Sequence, residues 1–270
     1  MKILKDILYG VSLKQVSGST SQEITSICFD SRKAEAGALF IAVKGTLSDG
    51  HDFIEQAIDL GTKAIVCEIF PTTLQEGVSY FLVEDSAKSL GIISANFFDH
   101  PSSKLKLVGV TGTNGKTTVA TLLFQLFRDL GYKVGLLSTV QNQINDEVVP
   151  STHTTPDPIS LNSLLNDMVD SGCDYCFMEV SSHAVAQHRI AGLRFTGGVF
   201  TNLTHDHLDF HQTFDAYLKA KKTFFECLES NSFALTNIDD KNGIVMLQNS
   251  RGHKKTYGLK NIADFKAKII

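Results

Sequence analysis

The stretch VGVTGTNGKTT, residues 108–118, runs from an apolar segment through Gly112 and Gly115 to Lys116, Thr117 and Thr118. Small residues at Gly112, Thr113, Asn114 and Gly115 let backbone N–H groups close around phosphate oxygens, and the helix expected to start near Lys116 turns its positive end to the same anion. In such a loop the lysine reaches the β/γ-phosphates of a nucleoside triphosphate and the Thr117 hydroxyl ligates Mg²⁺. The segment departs from the strict GxxxxGK[ST] spacing, since the glycine is Gly109 and Val110 stands in its place. GKTT between a strand and a helix still reads as a triphosphate site. The NKxD tetrapeptide that reads guanine is absent from the sequence, so ATP is the expected nucleotide. A second acidic ligand belongs at the end of a following strand, where YCFMEV supplies Glu179. Thr117, Glu179 and phosphate oxygens form a chemically sensible shell for so hard a cation.

FTNLTHDHLDFH, residues 200–211, gathers His205, His207 and His211 with two aspartates. Three imidazoles suit zinc, and the step from His207 to His211 brings two side chains to one helix face. Beside a nucleotide the cluster reads less like zinc. In the next helix, TFDAYLKAKKTFFECL, the residues Phe214, Tyr217, Leu218, Phe224, Phe225 and Leu228 share a face. At about 100° per residue Lys221 falls inside that stripe, while Lys219 and Lys222 fall outside it. A lysine there either lays its stem on the core and sends its amine to water, or sits partly desolvated with a lowered pKa and takes up CO₂ as a carbamate.

Those residues need a framework to hold them, and the rest of the chain reads as two α/β blocks. Residues 1–100 alternate strands ITSICF, ALFIAV, KAIVCE and SYFLV with helices over 51–60 and 86–98; HPSS is the linker. Beyond it the strands LKLVGV, KVGLLS, YCFMEV and GGVFTN sit between helices. One helix carries Val119, Leu122, Leu123, Leu126, Phe127 and Leu130, and another carries Leu161, Leu164, Leu165, Met168 and Val169. A mostly parallel sheet covered on both faces is expected. The 270 residues allow about two domains. With 43% hydrophobic and 20% charged residues the chain is globular in type, and a net charge of −4 argues against a nucleic-acid surface. No apolar run nears the roughly 20 residues of a membrane span, and MKILKDILYG is too short and too acidic for a signal peptide. Five cysteines without a regular framework fit a reducing compartment. Cys173 and Cys176 form a CxxC, but inside an apolar strand they read as core.

GVTGTNGKTT, HTTPDP (153–158), EVSSHAVAQHR (179–189) and FTNLTHDHLDFH, in that order, resemble the Mur ligase family of ATP-dependent amide-forming enzymes of peptidoglycan synthesis. EVSSHA and TTP are most similar to the branch that adds the third amino acid. DSRKAEAGALFIAVKGTLSDGHDF (30–53) is similar to the family's uridine-binding domain. The resemblance implies a small amino-terminal UDP-substrate domain (1–102) and a phosphate-loop domain with a mostly parallel sheet (103–270). It implies that ATP converts a carboxylate to an acyl phosphate, which the amine of L-lysine or meso-diaminopimelate then attacks, with UDP-N-acetylmuramoyl-L-alanyl-D-glutamate as acceptor. By motif position Ser31 is a uridine contact, and Thr154, Thr155, Ser181, Gln187 and Arg189 are contacts to the UDP-sugar and its diphosphate. Lys116, Glu179, His207 and Lys221 are the catalytic set. Thr117 and Glu179 hold one Mg²⁺, while carbamylated Lys221 and His207 hold a second; His205 and His211 are structural or supporting.

The family's later G-x-x-N-x-x-N segment has no counterpart here. The central domain is therefore expected to be incomplete, the amino-acid-selecting carboxy-terminal domain to be absent, and the chain alone to be inactive. The choice between lysine and diaminopimelate is not legible. A cytoplasmic monomer is expected. The rival readings are a related Mur or folylpolyglutamate-type ligase, and a nucleotide-binding module without catalysis.

Overall fold

The structure, a computed structural model, describes residues 1–45, 48–151, 153–204 and 208–268. It forms two compact units: residues 1–100 with 158–162 and 188–193, and residues 101–157 with 163–187 and 194–270.

The first unit contains, in order, β1 (Lys2–Ile3), α1 (Leu4–Ile7), β2 (Leu13–Ser17), β3 (Glu23–Ile24), β4 (Ser26–Cys28), β5 (Ala38–Ile41), α2 (Ile54–Asp59), β6 (Ala64–Cys67), β7 (Ser79–Val83) and α3 (Ser86–Phe97). Its five-stranded sheet has the order β2-β7-β6-β5-β4, parallel except for the β2–β7 pair. The strands alternate buried side chains between two layers. Leu39, Ile41, Val66 and Phe81 pack with Leu4, Ile7, Leu90 and Ile93 on one face, and Phe40, Ile65, Cys67 and Tyr80 pack with Ile54 and Ala57 on the other. Burial pushes the Cys67 thiol up to about 12, as it does for Cys28.

The second unit continues with β8 (Lys106–Thr111), α4 (Lys116–Asp129), β9 (Val134–Leu137), β10 (Asn142–Ile144), β11 (Glu147–Val149), α5 (Pro158–Asp170, its residues 158–162 counted with the first unit), β12 (Tyr175–Glu179), α6 (Ser182–Ala186) and β13 (Gly197–Phe200). There follow α7 (Leu208–His211), α8 (Phe214–Glu226), β14 (Phe233–Asn237), α9 (Gly243–Leu247), β15 (His253–Gly258) and β16 (Phe265–Lys266). Among the described residues the sheet order is β11-β10-β9-β12-β8-β13-β14-β15-β16, antiparallel only at the β11–β10–β9 edge. Val110 pairs with Glu179 on one side and Val199 on the other, and Phe200 pairs with Thr236. This register brings the carboxyl ends of β9, β12, β8, β13 and β14 to one edge of the sheet, where ligands of open parallel sheets bind.

Two sequence expectations are corrected by the packing of this unit. Of the apolar residues assigned to the core face of α4, Leu122, Leu126 and Leu130 are more than half exposed. Ala120 and Phe124 are buried instead, with Val119, Leu123 and Phe127 beside them. Helical spacing finds an apolar side but not its rotation, which is fixed where α4 leaves the loop at Gly115. The expected two-sided cover is also uneven. On the α4 side an apolar hollow of about 360 Å³ opens between Val119, Leu123, Phe127, Val199, Leu235 and Tyr257. On the other side Met168 of α5 lies against Gly135, and Phe224 of α8 against Gly109 and Gly198. Cys173 and Cys176 are buried, as their apolar surroundings predict, and burial raises both thiol pKa values. Among the described residues no helix is long and apolar enough to cross a membrane.

Candidate functional site

The loop between β8 and α4 is fastened to the segment after β13. Thr113 N–H donates to Asn202 O at 2.8 Å, and Asn114 N–H donates to Asn202 Oδ1 at 3.0 Å. Asn202 Nδ2 and Thr201 Oγ1 both donate to Asn114 O, at 3.0 and 2.7 Å. Thr204 N–H donates to Thr113 Oγ1 at 3.0 Å, and that hydroxyl also meets Tyr217 Oη at 3.0 Å. Gly115 caps α4 with φ of +83°, a left-handed conformation that side chains disfavour. The first bond inside the helix is Val119 N–H to Gly115 O, so the first-turn N–H groups, Thr117 and Thr118 among them, have no acceptor within the helix. The N–H groups of Thr113 and Asn114, which the sequence offers to phosphate oxygens, are engaged by Asn202 in this structure.

Lys116 Nζ folds back to Gly112 O and Thr113 O, at 3.0 and 2.9 Å. Thr117 Oγ1 donates to Glu179 Oε1 at 2.8 Å, and Thr139 N–H donates to the same oxygen at 2.7 Å. Glu179 is 1% exposed, and its Oε2 is buried with no hydrogen-bond partner among the described residues. A buried carboxylate oxygen left in this way is costly. A cation beside it removes that cost, so Thr117 and Glu179 fit a Mg²⁺. Lys221, also 1% exposed, is directed inward: its Nζ donates to Gly112 O at 2.8 Å and lies 4.6 Å from the centre of the Tyr217 ring. Two lysines thus converge on one carbonyl of the phosphate loop. His205 and His207 lie outside the described residues. His211 is buried, its Nε2 2.9 Å from Ser182 Oγ and its ring against Tyr217.

The other sequence-selected residues occupy three places. Ser31 borders a cavity of about 590 Å³ in the first unit, with its hydroxyl donating to Gln56 Oε1 at 2.8 Å. In the second unit Thr154 Oγ1 accepts from Thr139 Oγ1 at 3.1 Å, Thr155 is buried, and Ser181 caps α6 by accepting from Ala184 N–H. Gln187 ends α6, and the half-buried Arg189 belongs to the 188–193 segment of the first unit. Sequence reasoning did not find the brace made by Thr201, Asn202 and Thr204, nor its support from Asn237 Nδ2 on Thr201 O and Asp240 Oδ2 under Leu203 N–H, at 2.9 and 2.8 Å. The only sequence signal for it was polar residues following a buried strand. The Thr139 contact to Glu179 had none.

A glycine-rich strand-to-helix loop at the carboxyl edge of a mostly parallel sheet, facing a buried carboxylate on the neighbouring strand, defines an α/β domain of the phosphate-loop type. Residues 110–270 match the Mur ligase middle domain and residues 23–105 the Mur ligase family catalytic domain, and the chain belongs to the Mur ligase family. It is 62% identical over 268 residues to the UDP-N-acetylmuramoyl-L-alanyl-D-glutamate–2,6-diaminopimelate ligase of Cytophaga hutchinsonii, covering 99% of this chain and 55% of that protein. The ligase of the same name from Phocaeicola vulgatus is 55% identical over 267 residues, with the same coverage of each. The chain spans about half the length of the curated relatives it matches. A solved structure of a ligase of that name superposes with a TM-score of 0.82 at 25% identity, over 98% of this chain and 54% of that one. MurF from Acinetobacter baumannii shares the fold, with a TM-score of 0.64 at 18% identity over 94% of this chain and 53% of that one.

Proposed function

We propose that the chain carries the UDP-substrate and ATP sites of a cytoplasmic ligase that joins 2,6-diaminopimelate to UDP-N-acetylmuramoyl-L-alanyl-D-glutamate. The relatives' names support the choice of amino acid. The observation that carries the chemical part is Glu179, held by Thr117 at the head of α4 with its second oxygen buried and unpartnered.

A carboxylate and an amine do not condense usefully unaided, so the glutamate carboxylate first takes the γ-phosphoryl group of ATP, and the diaminopimelate amine then displaces phosphate. The chain's part in this is positioning and charge neutralisation. Lys116 leaves the carbonyls of Gly112 and Thr113 for the β/γ-phosphates, and the first-turn N–H groups of α4 take phosphate oxygens. Thr117 and Glu179 would hold one Mg²⁺, and Lys221 as a carbamate, with His207, would hold a second; a cation bound there would supply charge neutralisation for phosphoryl transfer. Carbamylation removes the positive charge of Lys221 and adds two acceptor oxygens, while the one N–H left on Nζ can still donate to Gly112 O. Ser31 contacts uridine, while Thr154, Thr155, Ser181, Gln187 and Arg189 contact the UDP-sugar and its diphosphate, Arg189 through its fit to phosphate.

A thermal-shift experiment tests the reading. A non-hydrolysable ATP analogue with Mg²⁺ and UDP-muramoyl dipeptide should each raise the melting temperature, because each binds the native state alone. Absence of both shifts would overturn it. In a ligase-active form Lys221→Ala should abolish turnover, with partial restoration by small carboxylates; full activity without them would remove the carbamate.

A further inference from the structure

Asn114 lies in the bend of the phosphate loop with both of its backbone groups held. Asn202 Nδ2 and Thr201 Oγ1 donate to Asn114 O at 3.0 and 2.7 Å, and Asn202 Oδ1 accepts from Asn114 N–H at 3.0 Å. The amide side chain thus pairs with Asn114 as the backbone of a neighbouring strand would. Gly112 admits this segment, since a side chain there would run into Thr201 Oγ1. A trans peptide directs its carbonyl and its N–H to opposite sides, and among the described residues no peptide bond is cis. Holding Asn114 O against residues 201–202 therefore turns Gly115 N–H the other way. Gly115, with φ of +83°, would otherwise let the Asn114–Gly115 peptide turn over, because glycine adopts positive and negative φ about equally well. We infer that Asn202, with Thr201, is a positioning residue for the nucleotide: it fixes the Asn114–Gly115 peptide so that Gly115 N–H joins the first-turn N–H groups of α4 in taking phosphate oxygens.

The inference rests on the proposed nucleotide site. A brace that only held the fold together would lower the melting temperature and weaken both ligands alike, whereas one that orients a phosphate-binding amide acts on nucleotide affinity. Asn202→Ala removes both side-chain bonds to Asn114. Thr201→Ala removes one donor to the same carbonyl, and Thr201→Ser keeps that donor and loses only a methyl group.

The test is calorimetry on the 270-residue chain, with a non-hydrolysable ATP analogue in the presence of Mg²⁺ and, separately, with UDP-muramoyl dipeptide. Asn202→Ala should weaken analogue binding about tenfold and Thr201→Ala about threefold, the scale of one or two hydrogen bonds. Dipeptide affinity should stay near that of the native chain in both, and Thr201→Ser should bind the analogue as the native chain does. Native analogue affinity in Asn202→Ala would overturn the proposal, as would equal weakening of both ligands or a serine variant as weak as Thr201→Ala. Should Asn202→Ala lose cooperative unfolding, Asn202→Ser serves in its place, and loss of the fold in both makes the side chain a fold determinant and overturns the proposal. A native chain that does not bind the analogue removes the nucleotide reading and this inference with it, a failure visible before any variant is made.

Discussion

The phosphate loop and the cavity beside Ser31 are held by different means. Around the loop, backbone groups are gripped by buried or half-buried partners at two other strand ends. Around Ser31 the walls are two short turns, Ser31–Lys33 and Gly50–Phe53, each begun by an aspartate that accepts from a backbone N–H two residues on. Asp30 also pairs with Arg32, whose side chain is 82% exposed. His51 bridges Asp49 Oδ1 and Glu68 N–H, at 2.6 and 2.8 Å, an arrangement for a neutral ring that donates from Nδ1 and accepts at Nε2. Exposed ion pairs contribute little, whereas breaking a buried hydrogen bond leaves a group unsatisfied. The loop is therefore set before a ligand arrives, while the cavity wall is free to adjust around one.

Three substitutions or titrations sharpen that contrast. The largest effect is expected at the rigid end: Lys116→Ala should weaken ATP-analogue binding roughly a hundredfold, the loss of a charge-assisted contact to phosphate. The melting temperature of the unliganded chain should change little. Near-native analogue affinity would show that the loop does not use its lysine. A smaller effect is expected at Ser31→Ala, about a fivefold loss of UDP-muramoyl dipeptide affinity, because the adjustable wall can offer other donors. A loss as large as that at Lys116 would mean that both sites are equally preset. The smallest concerns acid. Arg32 beside Asp30 lowers that carboxyl from 3.8 to about 2. A carboxylate lowered in the folded state stabilises it above the ordinary value, and the contribution is lost as pH falls through the lowered one. The Ser31–Lys33 turn should loosen between about pH 4 and pH 2, by an amount kept small by solvent screening. Carboxyl NMR titration of Asp30 checks it, and an ordinary midpoint would deny the pairing.

The same contrast explains what the sequence discloses. Gly112, Gly115, Lys116 and Thr117 are legible because backbone geometry and phosphate chemistry restrict which residues can stand there. Glu179 follows from its place at the end of a buried strand, and Lys221 from the helical stripe, in which it is 1% exposed. The two α/β units also follow from period and spacing. Ser31 was reached only through the family resemblance, since a hydroxyl on a loop has no pattern of its own. Asn202, Thr139 and Asp240 went unseen because their partners lie 37 to 88 residues away, and pairing at such separations is set by strand order. The misassigned leucines of α4 have a related cause, as the rotation of a helix is a tertiary property.

Gly109 and Gly198 lie side by side in β8 and β13, under the ring of Phe224. A methyl group at Gly109 would stand 2.5 Å from Phe224 Cζ, and one at Gly198 would stand 2.8 Å from Cε1. The paired absences act as a depth gauge, letting α8 settle onto the sheet by about the thickness of a methyl group. Lys221 lies one turn earlier on the same face, and its chain of four methylenes has a fixed span. With ordinary side chains in both strands the helix would ride higher, and that span would end short of Gly112. The reach of a reactive group is here set by what two distant strand positions lack.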